Sequence, residues 1–408
     1  MKGLKWLSVL MLVLFLSACG GAAAPASDAG AGQAEEAAAP SEEGGAEEAA
    51  APATENEAGE AAAETGGAAD SGLAAELSVY NWADYIDEAL LTQYEEEYGV
   101  EIIYDTFASN EDLLAKLQAG ATGYDVIFPS DYMVAQMIEL GMLAEIDHNN
   151  IPNLTNMDPF FLDAPYDPGN QHCVPYQWGT TGLAYQTAVA GDTPPDSWAA
   201  IFDPEQAQKW VEAGGINVLN DQRELIGAAL LYLGYSINDK DEAHLEEAKQ
   251  VLLSAKPYIK TFNSEDYDDS LLIPGEVAIS HAWSGDAAKA IYETTDEASG
   301  ESEWGYIIPK EGAFVWQDNI CVTATSEKKA TAEHFMNFLL DAENGAAITN
   351  YTYYASPNAA AREHISEDIL NDPAIYPPQE VIDKLEWAES LGETIFVYDR
   401  LWTEIKSQ

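Results

Sequence analysis

The sequence predicts an α/β protein built on parallel strands, and three observations lead to that prediction. From Glu76 onward, short apolar segments alternate with helical segments in the order βαβαβ. Loops that carry aromatic and acidic residues follow several of these strands. The chain has 408 residues, enough for one large or two medium domains with a buried core. Strands joined in this way form a mostly parallel sheet flanked by helices.

The first three predicted strands cover residues 77–80, 100–104 and 124–128. Between the first two, apolar residues at helical spacing are followed by Gly99, a residue that often ends helices. Asn110 is a plausible N-cap for a helix over residues 111–119. If the first and third strands are neighbours, the loops that follow them meet at one edge of a cleft.

These two loops contain Trp82, Asp84 and Tyr85 after the first strand, and Tyr132 after the third. Ligands of open α/β sheets bind beyond the carboxyl ends of the strands. An aromatic face beside a carboxylate attracts an ammonium group, because the ring quadrupole and the anion act together. The alternative is that the aromatic residues belong to the core and Asp84 caps a helix. These residues alone support both interpretations equally.

A second unit begins near Val174 and repeats the pattern of a strand followed by an acidic or aromatic loop. A predicted strand over residues 216–220 is followed by Asp221 and Glu224, and another over residues 277–280 by Trp283 and Asp286. Without further information, Asp221 and Glu224 are best explained as acids favoured at a helix N-terminus. Helices dominate after residue 327.

The N-terminus has the pattern of an export signal. Lys2 and Lys5 precede an apolar run over residues 7–16, and Leu-Ser-Ala-Cys ends at Cys19. This order resembles a bacterial lipobox, in which the cysteine is lipidated. The alternatives are an ordinary signal peptide or a transmembrane helix, for which the apolar run is too short. Residues 1–19 are therefore predicted to be a lipoprotein signal peptide, and the Ala-, Gly- and Glu-rich residues 20–75 a disordered acidic tether.

The formal net charge is −54, from 71 acidic residues against 17 lysines and arginines. Such a charge argues against nucleic acid as a partner, since nucleic-acid binding needs a basic surface. It would attract cationic ligands or basic proteins through its long-range field. The acidity also serves solubility, and the two roles are compatible.

If Cys19 carries lipid, Cys173 and Cys321 are the remaining cysteines. Both lie in apolar, strand-like segments, which favours two buried free thiols. Export also permits a disulfide, but the sequence does not give the required geometry. Neither cysteine has further Cys or His residues at ligand spacing, so no zinc site is predicted.

Residues 76–408 resemble the polyamine-binding (spermidine/putrescine) proteins of bacterial ABC importers. The matching segments occur in order along this part of the chain: Tyr-Asn-Trp-Ala-Asp-Tyr at 80–85, Ser-Asn-Glu at 109–111, Tyr-Asp-Val-Ile-Phe-Pro-Ser at 124–130, Pro-Tyr-Gln-Trp-Gly-Thr-Thr-Gly at 175–182, Trp-Ser-Gly-Asp at 283–286, Pro-Lys-Glu-Gly at 309–312 and Ile-Tyr-Pro-Pro at 375–378. The resemblance implies a two-lobe, type II-like periplasmic-binding-protein fold with a hinge. Lobe 1 would begin near residue 76 and lobe 2 near 174–180, with later segments crossing between them.

The resemblance also implies the ligand-binding residues: Trp82, Asp84, Tyr85, Tyr132, Asp221, Glu224, Trp283, Asp286 and Trp316. Arg223, between two of these acids, is expected to brace the carboxylates or to point away. Tyr353 and Tyr354 are left without an assigned role. The implied ligand is a polyamine such as putrescine or spermidine, held between the lobes and delivered to a membrane permease. The implied protein is a monomer without cofactor or bound metal, exported and lipid-anchored in the periplasm or on the outer face of the cytoplasmic membrane.

Three alternatives compete with this interpretation. A glycosidase would also place paired carboxylates beside aromatic rings, but the sequence lacks the usual hydrolase and nucleotide-binding motifs. Its six histidines are scattered, and His281, beside Trp283, is assigned to packing or the hinge. The same fold could bind an amino acid, a betaine-like cation, a sugar or iron, although tryptophans offer a metal no ligand atom. A purely structural surface lipoprotein would not need clustered aromatic and acidic loops.

Overall fold

A computed structural model describes residues 72–120 and 123–407. The predicted signal peptide, Cys19 and most of the predicted tether lie outside these residues. Within them, ten strands form one mixed sheet. The strands are β1 Glu76–Trp82, β2 Glu101–Phe107, β3 Val126–Ile127, β4 Cys173–Gln186, β5 Ile216–Val218, β6 Ile259–Phe262, β7 Ile279–Trp283, β8 Trp304–Ile307, β9 Phe314–Val322 and β10 Glu386–Trp387.

Helices alternate with these strands and become more frequent near the C-terminus. They are α1 Glu88–Tyr98, α2 Asn110–Gln118, α3 Asp131–Glu139, α4 Thr187–Ala190, α5 Ala199–Phe202, α6 Pro204–Ala213, α7 Gln222–Leu233, α8 Glu242–Ala255, α9 Ser284–Glu293, α10 Lys329–Leu339, α11 Ala342–Thr352, α12 Glu367–Asn371, α13 Gln379–Ile382 and α14 Ile395–Ser407. Single-turn 3₁₀ helices cover His148–Asn150, Pro152–Asn156, Pro159–Phe161, Lys256–Tyr258, Ala360–Glu363 and Gly392–Thr394, and a π-helical turn covers Asp268–Leu272.

The parallel arrangement predicted for the first three strands is confirmed. β1 pairs in parallel with β2 on one side and with β3 on the other. The loops after β1 and β3 therefore lie side by side at the carboxyl edge of the sheet. We call the part of the protein built on β1–β3 lobe 1.

A second set of strands, β5 to β8, forms what we call lobe 2. There, β5 pairs in parallel with β6 and β7. The two lobes are joined through β4, whose first half pairs antiparallel with β9 and whose second half pairs antiparallel with β7 and β8. The sheet is more mixed than the sequence indicated, because β4 runs antiparallel to β7, β8 and β9, and β9 also runs antiparallel to β3.

The helix α2 shows how one sequence prediction changes in the structure. Its N-cap is Ser109, whose hydroxyl accepts a hydrogen bond from the amide of Asp112 at 3.1 Å, and Asn110 is the first helical residue. The prediction of Asn110 as the cap is therefore wrong. The Asn110 side chain instead donates to Ser130 Oγ at 3.0 Å, which fixes the loop after β3.

Trp198, Trp210 and Trp304 are completely enclosed in the core, so only some of the ten tryptophans are available for a binding site. In the part of the chain that the structure describes, no helix combines the length and apolarity needed to cross a membrane.

The two cysteines face each other across the β4–β9 pair and form a disulfide. Cys173 and Cys321 are register partners, with their Cα atoms 4.4 Å apart. The expectation of two free thiols is thus wrong. The reason is the antiparallel register of β4 and β9, which connects residues separated by 148 positions.

Replacing both cysteines by alanine should lower the free energy of unfolding by about 2 to 5 kcal/mol, because the bridge restricts a long loop in the unfolded chain. Chemical denaturation of the oxidised protein and the double variant would measure the difference. Reduction of the wild-type protein should shift its unfolding midpoint in the same direction. Identical midpoints in all three samples would contradict a stabilising bridge.

Candidate ligand-binding site

All nine residues predicted for the site line one cavity between the two lobes. The loops after β1 and β3 provide Trp82, Asp84, Tyr85 and Tyr132, while lobe 2 provides Asp221, Glu224, Trp283 and Asp286, and Trp316 comes from β9. The cavity therefore lies at the carboxyl ends of the parallel strands in both lobes. It also reaches β9, the strand that pairs with β3 and β4.

Two tryptophans from opposite lobes meet edge to face in the wall of the cavity. Trp82 is the last residue of β1 and Trp283 the last of β7, and their ring centroids are 5.8 Å apart at 73°. Each indole N–H is used within its own lobe: Trp82 donates to the carbonyl of Phe128 at 2.9 Å and Trp283 to Glu224 Oε1 at 3.2 Å. These bonds fix the rings, and the ring surfaces that line the cavity can contact apolar or cationic groups.

A second aromatic cluster is formed by Tyr85, Trp316 and Tyr354. The ring of Tyr354 lies edge-on to both others, with centroids 5.2 Å from Tyr85 and 5.3 Å from Trp316. Trp316 donates its indole N–H to Thr181 Oγ1 at 3.2 Å. Tyr354 also lines the cavity. The sequence assigns it no role, because only the fold brings it beside Tyr85.

The carboxylate of Asp286 lies next to this aromatic cluster. Its Oδ2 atom accepts hydrogen bonds from Tyr354 at 2.6 Å and from Tyr267 at 2.9 Å. Burial, followed by the charge of Asp268, raises the pKa of Asp286 to about 7. Two phenol donors favour the charged form, so a cation beside this group would meet an oriented carboxylate.

Asp318 is a further acid of the site that the sequence argument did not assign. It is 4% exposed, and its two oxygens accept hydrogen bonds from Tyr85 at 2.7 Å and from Ser130 Oγ at 2.5 Å. Burial raises its pKa to about 6. The sequence shows Asp318 two residues after Trp316, and it shows the motif that contains Ser130. The hydrogen bonds, however, join Tyr85, Ser130 and Asp318, which lie in three distant segments of the chain.

In lobe 2, Asp221 and Glu224 lie at the N-terminus of α7 and also line the cavity. Asp221 is the N-cap of α7, because its side chain accepts the amide N–H of Glu224 at 3.0 Å. The helix-terminus explanation is thus correct for both acids, since Glu224 lies in the first turn of α7, yet both carboxyl groups also line the cavity. Glu224 Oε1 accepts from Thr181 at 3.0 Å as well as from Trp283. Burial raises the pKa of Asp221 and that of Glu224, the latter to about 8.

Arg223 does not brace these acids through hydrogen bonds. Its guanidinium donates to the Glu389 carbonyl at 3.1 Å and to Asn238 Oδ1 at 3.3 Å. The guanidinium also lies over the ring of Tyr132, 4.7 Å from its centroid. Tyr132 lines the cavity, but one face of its ring is already occupied by the Arg223 guanidinium.

Asp84 lies at the exposed rim of the cavity. One carboxylate oxygen of Asp84 and one from each of Asp266, Asp268 and Asp269 lie within 4.8 Å of one another. Asp84 belongs to lobe 1 and the other three to lobe 2, so acids of both lobes concentrate negative charge at the entrance. This charge would favour the approach of a cation.

Comparisons with known proteins agree with this architecture. Residues 89–377 match the family described as bacterial extracellular solute-binding protein. The chain is 37% identical over 339 residues to a putrescine-binding periplasmic protein of Pseudomonas aeruginosa, covering 81% of this chain and 92% of the relative. It is 36% identical over 345 residues to a putrescine/cadaverine-binding protein of the same species, covering 83% and 96%.

A solved structure of a related binding protein has a similar fold. The spermidine/putrescine ABC transporter substrate-binding protein of Streptococcus pneumoniae superposes with a TM-score of 0.65 at 33% identity, covering 82% of this chain and 99% of that protein. The predicted two-lobe fold is therefore confirmed. The chain belongs to the bacterial extracellular solute-binding protein family.

Proposed function

We propose that this protein captures a polyamine between its two lobes and delivers it to the permease of an ABC importer. The observation that supports this most directly is the convergence of Asp221, Glu224, Asp286 and Asp318 on a cavity walled by tryptophans from both lobes. A polyamine carries ammonium groups separated by methylenes, which matches carboxylates alternating with aromatic faces. Relatives that are 36–37% identical carry putrescine in their names.

The energetics of the site favour a ligand with two or more positive charges. A buried carboxylate is costly without a cation, and burial raises the pKa of each of these four acids. Ammonium groups beside these acids would offset this cost and favour the charged form. The methylene segments would pack against the surfaces of Trp82 and Trp283 that line the cavity.

We assign separate roles to the predicted residues. Trp82, Tyr85, Trp283 and Trp316 would form the aromatic walls, and Asp221, Glu224, Asp286 and Asp318 the ammonium partners. Asp84 would attract the ligand at the rim. Tyr132 would contribute from behind the Arg223 guanidinium that lies over its ring. In this proposal the protein performs no catalysis, acts as a monomer and needs neither cofactor nor metal.

The location of the protein is part of the same proposal. The residues before Cys19 would be removed as a signal, Cys19 would carry the lipid as the first residue of the mature protein, and residues 20–75 would hold residues 76–408 away from the membrane. The support is the order of Lys2, Lys5, the apolar run and Cys19 in the sequence, together with the periplasmic names of relatives. Acyl chains anchor a protein without a spanning helix.

Calorimetric titration of the purified protein at moderate salt tests the ligand. The panel comprises putrescine, spermidine, spermine, arginine, glycine betaine, maltose and ferric citrate. We expect a dissociation constant of about 1 µM or lower, equivalent to about −8 kcal/mol, for at least one polyamine and much weaker binding of the others.

Two other results would change the assignment. Binding of betaine, sugar or iron without polyamine binding would keep the solute-capture function and reject the ammonium site. Absence of binding to every member of the panel would reject the proposed ligand class altogether.

A further inference from the structure

His281 is a buried titratable residue that the proposed ligand contacts do not use. It lies on β7, two residues before Trp283, and its side chain is completely buried. Neither ring nitrogen has a hydrogen-bond partner among the described residues. Its ring packs edge-on against Trp198, with centroids 5.2 Å apart at 90°. Because a buried unsatisfied polar group costs free energy, the ring needs an explanation beyond packing.

A carboxylate oxygen of Glu224 lies near the His281 ring and could accept the hydrogen bond that the ring lacks. Glu224 Oε2 also lacks a hydrogen-bond partner among the described residues, and it lies 3.9 Å from His281 Nε2. This distance is too long for a hydrogen bond by roughly 1 Å. The terminal torsion of a glutamate is soft, so a modest rotation of the carboxylate can close the gap. A buried donor and a buried acceptor thus face each other with no competing partner for either.

We propose that His281 is a positioning residue, whose Nε2–H donates to Oε2 of ionised Glu224 and holds this carboxylate in place for a bound cation. Thr181 and Trp283 hold Oε1 of the same carboxylate, so the histidine would complete the set of donors around it. A charged carboxylate is a stronger acceptor than a neutral carboxyl group. The bond should therefore form when Glu224 is ionised, which is the state that a bound ammonium favours. As a contributor to cation binding, this role rests on the proposed function.

The charged groups around Glu224 and His281 determine how the proposed hydrogen bond between them depends on pH. Glu224 is faced by Asp221 and Arg223 of α7, by His281 of β7 and by Tyr306 of β8. Among the described residues, Glu224 is the only carboxylate within 4 Å of the His281 ring nitrogens. Burial lowers the pKa of His281 to about 3, so the ring stays neutral and keeps one N–H to donate. Glu224 is therefore the member of the pair that titrates near neutral pH.

Two variants separate positioning from packing. His281→Phe keeps a ring but removes the donor, whereas His281→Gln keeps an N–H near the position of Nε2. With spermidine as the probe and the whole protein, we expect His281→Phe to raise the dissociation constant about tenfold at pH 7. We also expect it to move the pH at which affinity is lost upward by about half a unit or more. His281→Gln should stay within about threefold of wild type, and His281→Phe should cause no further loss in a Glu224→Gln background.

Equal losses in the Phe and Gln variants with an unchanged pH profile would overturn the inference and leave a packing role. Nitrogen NMR of the His281 ring provides a test that needs no ligand. Ionisation of Glu224 between pH 6 and 9 should shift the Nε2–H signal of the empty protein, and an unchanged signal would overturn the pairing. If no polyamine binds, the proposed function fails, while this NMR result still decides whether His281 holds Glu224.

Discussion

Replacing Asp318 with asparagine should weaken polyamine binding by about 100-fold or more. The carboxylate is 4% exposed and receives hydrogen bonds from Tyr85 and Ser130, so it offers a buried, oriented negative charge in the cavity. Asparagine keeps the size and one acceptor but removes the charge. Loss of one partner from a buried charged pair costs about 2 to 5 kcal/mol, and each 1.4 kcal/mol corresponds to about tenfold in affinity.

Calorimetry of the wild-type and Asp318→Asn proteins with putrescine and spermidine measures this effect. Asp196→Asn is a matched control, because that side chain is 77% exposed and pairs with Lys310 at the surface. It should bind as the wild type does. Thermal unfolding without ligand should show that the Asp318 variant folds, since removing a buried charge relieves a desolvation cost. An affinity within about threefold of wild type would show that no ammonium group depends on Asp318.

The example of Asp318 shows what the sequence could and could not predict about this site. The aromatic and acidic loops after β1, β3, β5 and β7 were predictable, because strand periodicity locates the strand ends and ligands bind beyond them. Asp318 lies within β9, and its partner Tyr85 is 233 residues away. Spacing along the chain carries no information about such a contact. Tyr354 and Tyr267, which donate to Asp286, were missed for the same reason.

The overall fold was more predictable than its strand pairing. The βαβαβ order correctly indicated that β1, β2 and β3 are parallel neighbours. The antiparallel register of β4 and β9 was not predictable, and it decides both the connection between the lobes and the disulfide. The directions of the side chains could not be predicted from the sequence either. Arg223 stacks on Tyr132 because Asn238 and the carbonyl of Glu389 fix its guanidinium, and Glu389 is 166 residues away along the chain.

Acidification should weaken ligand binding while it stabilises the empty protein. Burial raises the pKa of Asp318 to about 6, that of Asp286 to about 7 and that of Glu224 to about 8. An ammonium ligand binds the ionised carboxylates, so protons compete with it below these values. For Glu224 alone, the ionised fraction falls by about 50-fold between pH 8 and pH 6, and we expect the affinity to fall by at least that factor.

The effect on stability has the opposite sign. Between their ordinary values near 4 and these raised values, the three acids hold more protons in the folded state than in the unfolded state. The free energy of unfolding of the empty protein should therefore fall as the pH rises through this range. A saturating polyamine, which binds only the folded state, should offset this loss at pH 8 and much less at pH 5.

Calorimetric titration with spermidine and thermal unfolding, both from pH 5 to pH 8.5, measure the two effects on the same protein. The control is Glu224→Gln, which should bind more weakly at pH 8 but lose less affinity on acidification, since the group with the highest of the three pKa values is absent. Affinity that does not change between pH 8 and pH 6 would mean that the buried acids are already ionised without ligand. In that case we expect the cavity to be open to water in solution, with the lobes further apart, because hydration would add to the existing hydrogen bonds and keep these carboxylates charged in the absence of a cation.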